Sequence, residues 1–320
     1  MRTPKLWKSK NIFSIFLFPL SLIYGFFSKI HKTFSKEYKS KKLNIVCIGN
    51  LTAGGNGKTP VAIKIGEIFK QNGKNFAYLS KGYKGKINDF VKVDSKKHTY
   101  LDVGDEPLLL SKIVDTFVCK NRKKAIQILE NKYNYDFIIM DDGFQNPTIY
   151  KNKNIIIVDG EYGIGNGFLL PAGPLRENLK DAIKRIDFVI IIGNDRQNLE
   201  EYFLKNNIKV FKANIKEKIE NINNNQKYIA FSGIGRPEKF FNSLKKVDCN
   251  LIKKISFEDH HIYTNNEIEK ILLTAKKENA KVITTSKDWI KLSSDYRNQI
   301  DVLEIEIDLL DKNNFLKEIL

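Results

Sequence analysis

From Asn44 to Pro60 the chain reads NIVCIGNLTAGGNGKTP. After Asn44, residues 45–48 are apolar and partly β-branched, so that 44–48 reads as a strand buried on both faces. A glycine-rich loop follows, and the spacing predicts a helix from Thr59 to about Asn72. Strand, glycine-rich loop and helix in that order are the context a phosphate-binding P-loop demands. The glycines let backbone N–H groups curl around phosphate oxygens, and the helix N-terminus adds its dipole. Thr52, Ala53, Gly54, Gly55, Asn56, Gly57, Lys58 and Thr59 form the candidate nucleotide cradle. Lys58 is placed to reach the β- and γ-phosphates, and Thr59 to ligate Mg²⁺. The strict pattern G-x-x-x-x-G-K-[ST] asks for glycine at 52, where this chain has Thr52. GGNGKT with the upstream Gly49 is therefore a variant. An accidental glycine-rich turn is the plain alternative, and the flanking strand and helix argue against it.

Outward from this stretch, IIMDDGFQ (138–145) is an apolar strand ending in acid, the Walker B arrangement. Such a strand carries a carboxylate to the C-terminal edge of a parallel sheet, beside the P-loop, where Mg²⁺ is held. Adjacent side chains leave a strand on opposite faces. One of Asp141 and Asp142 then serves the metal and the other a neighbouring group; a turn-forming aspartate is the bland alternative. FAYLS (76–80), DFVKV (89–93), TFVC (116–119), NIIIVD (154–159) and DFVIIIG (187–193) read as further strands. DEPLLLSKI (105–113) and residues 123–133 read as helices. Alternating strands and helices give an α/β fold with a P-loop NTPase-like, mostly parallel sheet over residues 43–215. The polar, Asn-rich run NIKEKIENINNNQK (214–227) reads as a connection. Beyond it KYIAFSGIG, helices near 237–246 and 265–279, KVITTS and VLEIEI predict a second, smaller α/β domain over 225–320.

Three weaker motifs remain. GDEP (104–107) sets Asp105 and Glu106 at a helix start, where acids also simply cap. DHH (259–261) holds two of the four histidines beside an acid, suited to orienting or relaying a proton, or merely a surface pair. LLPAGPLRE (169–177) carries Arg176, suited to stabilising phosphoryl charge or sitting in a rigid turn.

The chain has 320 residues, 54 Lys+Arg against 37 Asp+Glu, and a formal net charge of +17. With 42% hydrophobic residues it is globular material long enough for roughly two domains of ~100–200 residues each, which excludes a mainly disordered chain. Cys47, Cys119 and Cys249 lie far apart, which excludes a disulfide framework or a thiolate zinc site. Residues 1–42 hold ten basic residues and one acid, Glu37. Within them Ile12 to Phe27 carry no charge, with Pro19 in the middle. As a helix this stretch spans about 24 Å, short of the ~30 Å hydrocarbon core, and Pro19 should kink it. No small-residue cleavage site follows, against a signal peptide. A buried core helix and a full span remain open. An interfacial or partly inserted anchor over 1–42 fits best, with flanking lysines on anionic headgroups. Only seven of the 54 basic residues are Arg, the side chain best suited to base and phosphate readout, so no nucleic-acid partner is expected.

Taken together, GNLTAGGNGKTP, SKGYKG, GDEP, DDGFQN, LLPAGPLRE and DHHIY resemble, in this order, the tetraacyldisaccharide 4′-kinase (lipid A 4′-kinase) family. The resemblance runs over nearly the whole chain and accounts for Thr52. It implies an ATP- and Mg²⁺-dependent kinase at the cytoplasmic face of the inner membrane, acting as a monomer. The family's reaction phosphorylates the 4′-hydroxyl of a tetraacyldisaccharide 1-phosphate, a lipid A precursor, to give lipid IVA. By the same resemblance Lys58 and Thr59 hold ATP and Mg²⁺, and Asp141 and Asp142 take the Walker B positions. Asp105 becomes the candidate base, aided by His260, with His261 open, and Arg176 stabilises the phosphoryl group. Lys81, Lys84 and Asn146 depart from the expected Arg, Gly and His. A membrane-tethered P-loop NTPase switch is the alternative; it leaves LLPAGPLRE and DHH without a task. TTSKD (284–288) is slightly like a guanine-specificity motif but lacks its Asn.

Overall fold

A computed structural model of the chain describes residues 4–54, 57–218, 222–223 and 225–320. Gly55 and Asn56, both expected in the nucleotide cradle, lie outside the described residues. The chain divides into two compact units, one of Pro4–Ile215 with Ile307–Leu320, the other holding Lys216–Glu306.

The larger unit is built on strands β1 (Asn44–Gly49), β2 (Phe76–Ser80), β3 (Val91–Lys92), β4 (Thr116–Val118), β5 (Phe137–Asp141), β6 (Lys153–Asp159), β7 (Phe188–Ile192) and β8 (Lys209–Lys218). Their order is β8-β7-β6-β1-β5-β2-β4-β3. All pairings are parallel except β3 with β4. β1 therefore lies between β5 and β6. The chain leaves it toward β2 on one side, and leaves β6 toward β7 on the other. That reversal opens a crevice at the carboxyl ends of the strands, the usual ligand position in such sheets. The register sets Ile48 of β1 opposite Asp141 of β5, so the P-loop and the aspartate pair leave the sheet side by side.

The central strands β1, β2, β5, β6 and β7 are buried on both faces, which is why they read as apolar runs. Val46 and Ile48 pack with Val61, Ile65 and Phe69 of the helix Lys58–Gln71. Ile45 and Cys47 face the opposite side, with Ile138 and Met140 near the first and Phe144 and Val189 near the second.

The expected connection at 214–227 begins as a strand instead. β8 runs to Lys218, with Phe211 and Ala213 buried and Lys212 between them outward. Its period-2 alternation is masked by the polar residues of its solvent face. The C-terminal unit was expected to reach 320, but its packing ends earlier. Ile307, Leu309, Phe315 and Ile319 join the core of Phe188 and Phe211 in the larger unit. Burying Phe315 completely is worth roughly 1.5–3 kcal/mol, enough to decide where the final helix, Lys312–Ile319, belongs.

The smaller unit has four parallel strands in the order β10-β9-β11-β12. They are β9 (Lys227–Ser232), β10 (Asn250–Ser256), β11 (Ala280–Thr285) and β12 (Ile300–Leu309), the last passing back into the larger unit. Helix Pro237–Lys246 covers one face through Phe240, Phe241 and Leu244. Helix Asn265–Lys277 covers the other through Ile268, Ile271 and Ala275. β10 was missed in the sequence because its solvent-facing lysines interrupt the apolar run.

The N-terminal apolar stretch is one helix, Ile12–Phe34, with Pro19 inside it. Polar residues beyond Phe27 extend it, so that it is long and apolar enough to cross a membrane by length and composition. Its burial is inverted. Ser14 and Ser21 are its buried residues, while Ile12, Phe13, Phe16, Phe26 and Phe27 are all more than half exposed.

Candidate active site

The site grows from the end of β1. Gly57 adopts φ +82° immediately before the helix Lys58–Gln71, a conformation that favours glycine. Lys58 and Thr59 follow on the first turn and are almost wholly buried. The first half of the loop is held by LLPAGPLRE. Thr52 forms an antiparallel bridge with Leu175, Ala53 N donates to Pro174 O at 2.8 Å, and Arg176 N donates to Leu51 O at 2.9 Å. Extended, bridged backbone at 52 explains why a β-branched residue stands where a generic P-loop has glycine.

This strapping brings Arg176 to the aspartate pair. Its Nη1 donates to Asp142 Oδ1 at 2.7 Å, and Lys58 Nζ lies 3.4 Å from the same oxygen. Asp142 turns off the strand at φ +51°, with its N–H donating to Ile48 O. Burial pushes its carboxyl up, but Lys58, Arg176 and Arg122 outweigh that and hold it well below the usual carboxylate range. Arg122 was not foreseen. It is buried, and its Nη1 donates to Asp142 O at 2.9 Å and its Nη2 to Asp141 O at 2.7 Å, fixing the backbone of both aspartates. One Arg among the lysines of 120–124 is the only sequence signal it gave.

Asp141 is the opposite case. It is 1% exposed, and neither carboxylate oxygen has a hydrogen-bond partner. Burial first, then the charge of Glu106, pushes its carboxyl far above its ordinary value, against Lys58 and Arg122. A bare buried carboxylate costs free energy unless a cation satisfies it. Among the described residues no group of three or more His, Cys, Asp or Glu is gathered for a metal. One bare carboxylate and the hydroxyl of Thr59, rather than an all-protein cage, form the sparse oxygen donor set that suits Mg²⁺. The donor set therefore fits that ion.

The GDEP turn joins this group through Glu106, whose charge reaches Asp141. Asp105 is 5% exposed and opens the helix Asp105–Leu110, accepting from Glu106 N at 2.9 Å. Gln145, also unforeseen, donates to Asn50 O at 2.9 Å and to Glu177 Oε1 at 3.2 Å. Glu177 is 3% exposed and pairs with both Arg185 and Lys32. Lys32 lies on the apolar helix, and so do Ser21, which donates to Leu169 O at 2.8 Å, and Tyr24, which donates to Arg176 O at 2.9 Å. The apolar helix is thus bonded to the same loop that carries Arg176. Among the departures, Asn146 accepts from Thr148 N and Oγ1 in a local turn, and Lys84 stands at φ +63° where glycine is easier.

The DHH turn belongs to the smaller unit. His260 stands at φ +56°, its Nε2 3.9 Å from Asp259 Oδ1. His261 stacks on Phe257 with ring centroids 4.6 Å apart and faces Glu267 Oε1 at 3.1 Å. Glu267 also closes the capping box with Thr264 at the start of helix Asn265–Lys277, so His261 is tied into local structure.

The family model described as tetraacyldisaccharide-1-P 4′-kinase matches residues 13–320. The tetraacyldisaccharide 4′-kinase of Paramagnetospirillum magneticum is 38% identical over 309 residues, covering 96% of this chain and 94% of that protein. That of Rickettsia canadensis is 35% identical over 311 residues, covering 97% and 94%. The crystal structure of LpxK from Aquifex aeolicus in complex with ATP superposes with a TM-score of 0.77 at 26% identity, covering 96% of this chain and 98% of that one. The chain belongs to the tetraacyldisaccharide-1-P 4′-kinase family.

Proposed function

We propose that this chain performs the family's reaction, transfer of the γ-phosphoryl group of ATP to the 4′-hydroxyl of a tetraacyldisaccharide 1-phosphate in lipid A biosynthesis, giving lipid IVA. The observation that carries the site assignment is the meeting of Lys58, Asp142 and Arg176 beside the bare carboxylate of Asp141. Phosphoryl transfer needs positioning and charge neutralisation more than covalent chemistry. Of the candidate cradle, Gly57, Lys58 and Thr59 at the helix start offer backbone N–H groups to the nucleotide phosphates, and Lys58 places its charge on the β- and γ-oxygens. Asp142 keeps Lys58 and Arg176 together at one oxygen, and Arg176 neutralises charge on the group in transit.

Thr59 and Asp141 would hold Mg²⁺, which would supply positive charge to offset that of the phosphates. The unpartnered oxygens of Asp141, against the doubly paired Oδ1 of Asp142, favour Asp141 as the ligand. Asp105 accepts the proton of the 4′-hydroxyl as its oxygen attacks phosphorus, and ADP leaves with the electrons of the broken P–O bond. His260 assists; its partner Asp259 supports it over His261, which Phe257 and Glu267 occupy.

The helix Ile12–Phe34 lies on or in the membrane at the cytoplasmic face, where ATP is available. Its outward apolar side and the exposed Lys8, Lys10, Lys29 and Lys36 support contact with anionic lipids. We read the chain as a monomer; that Lys58, Asp141, Asp142 and Arg176 all come from one chain supports it. Family membership favours this reaction over a tethered NTPase switch.

The test is Asp105→Asn in the full chain. A kcat reduced about 10²–10⁴-fold at unchanged KM for ATP is expected of a lost general base. Wild-type kcat would remove that role.

A further inference from the structure

In the smaller unit one carboxylate organises the turn that carries DHH. Asp288, the last residue of TTSKD, is fully buried and yet accepts from five groups. Its Oδ2 takes Thr285 Oγ1 at 2.8 Å, Gly233 N at 3.0 Å and Ser232 Oγ at 3.2 Å. Its Oδ1 takes Lys291 Nζ at 2.8 Å and Tyr263 OH at 2.9 Å. Lys291 is also buried and lies 5.4 Å from the centre of the Tyr263 ring. A buried ion pair with every acceptor site used is a rigid joint, whereas a partly satisfied one is costly.

The joint leads to the histidine by two routes. Gly233, held through its N–H, accepts from His260 N with its carbonyl at 2.9 Å. No larger residue fits there, because a Cβ on Gly233 would lie 2.8 Å from Tyr263 OH and 3.1 Å from His261 Cβ. Tyr263, held through its hydroxyl, follows the histidines by two residues and packs edge-on against His261 and Phe257. Between these two anchors His260 is kept at positive φ, a conformation a non-glycine residue holds only where its surroundings impose it.

We propose that Asp288 is the positioning residue of the DHH turn, fixing His260 through the Gly233 N–H and the Tyr263 hydroxyl. The inference rests on the reading of His260 as an assisting group given above. It gives TTSKD a task in the reaction without contact with the substrate.

The experiment measures kcat and KM for ATP in the full chain for Tyr263→Phe, Asp288→Asn, His260→Ala and the double variant His260→Ala/Tyr263→Phe. Tyr263→Phe keeps the ring and removes only the hydroxyl, so it carries the test even if Asp288→Asn does not fold. The expected result is a kcat about tenfold lower in Tyr263→Phe, unchanged KM for ATP, and no further loss when that change is added to His260→Ala. A histidine variant that is impaired beside a wild-type Tyr263→Phe overturns the positioning role alone. So does a loss in the double variant equal to the product of the two single losses. Wild-type kcat in His260→Ala removes the reading of the histidine itself, and the inference with it.

Discussion

Arg176 and Lys58 converge on one oxygen of Asp142, the guanidinium at 2.7 Å and the ammonium at 3.4 Å. Their charges hold the Asp142 carboxyl below its ordinary range although burial opposes it. A carboxylate depressed in the folded state contributes stability that is present above its unfolded pKa, about 3.9, and lost as pH falls toward the folded value. The thermal midpoint of Asp142→Asn should therefore lie below that of the wild type at neutral pH. The gap should stay constant down to about pH 5 and narrow below about pH 4. The Asp142 side chain is 33% exposed, so solvent screening keeps the gap modest. A gap independent of pH would show that the pairing does not stabilise the fold.

Asp141 predicts the reverse. Burial and Glu106 raise its carboxyl, so the nucleotide-free fold loses stability as pH rises above the unfolded value of about 3.9. Asp141→Asn removes the buried charge. Differential scanning calorimetry without nucleotide should show Asp141→Asn more stable than wild type at pH 8, by about 1–2 kcal/mol, with the advantage fading toward pH 4. The same variant should lose Mg²⁺-dependent ATP affinity in a titration. Stability gained while metal dependence disappears is the mark of a residue kept for function. Unchanged Mg²⁺ dependence would move the metal to another ligand.

The outward face of helix Ile12–Phe34 sets the third expectation. Phe16 is 81% exposed and Phe27 63%, on a helix bonded to the Arg176 loop through Ser21, Tyr24 and Lys32. Phe16→Glu/Phe27→Glu removes two apolar contacts at no cost to those bonds. Sedimentation with anionic vesicles should fall by about tenfold or more, while ATP affinity stays unchanged. Full retention on vesicles would mean that another surface holds the membrane.

The larger unit was legible because its strands are buried on both faces and read as unbroken apolar runs, as in Ile155–Val158. β8 and β10 were not, because exposed polar residues, Lys212, Asn214, Lys216 and Lys218 in the one and Lys253 and Lys254 in the other, make half-exposed strands look like polar connections. The final helix was assigned to the wrong unit for a topological reason: β12 crosses the boundary, and no local pattern records which core receives Phe315. At the site, Lys58, Thr59, Asp141, Asp142 and Arg176 were visible through motifs with fixed chemistry. Arg122, Gln145 and Glu177 were not, since they act through backbone carbonyls or buried pairs that only the fold brings together. Thr52 was an anomaly in the sequence, and its bridge to Leu175 supplies the reason.

The most direct measurement follows labelled γ-phosphate from ATP into a tetraacyldisaccharide 1-phosphate in detergent micelles, wild type beside Lys58→Ala. Removing Lys58 should reduce labelled lipid by about 10²-fold or more, while the wild type converts it. Labelled lipid from wild type alone is the predicted result. ATP hydrolysis with no labelled lipid, or equal product from Lys58→Ala, would contradict the assignment of this site to phosphorylation of the 4′-hydroxyl.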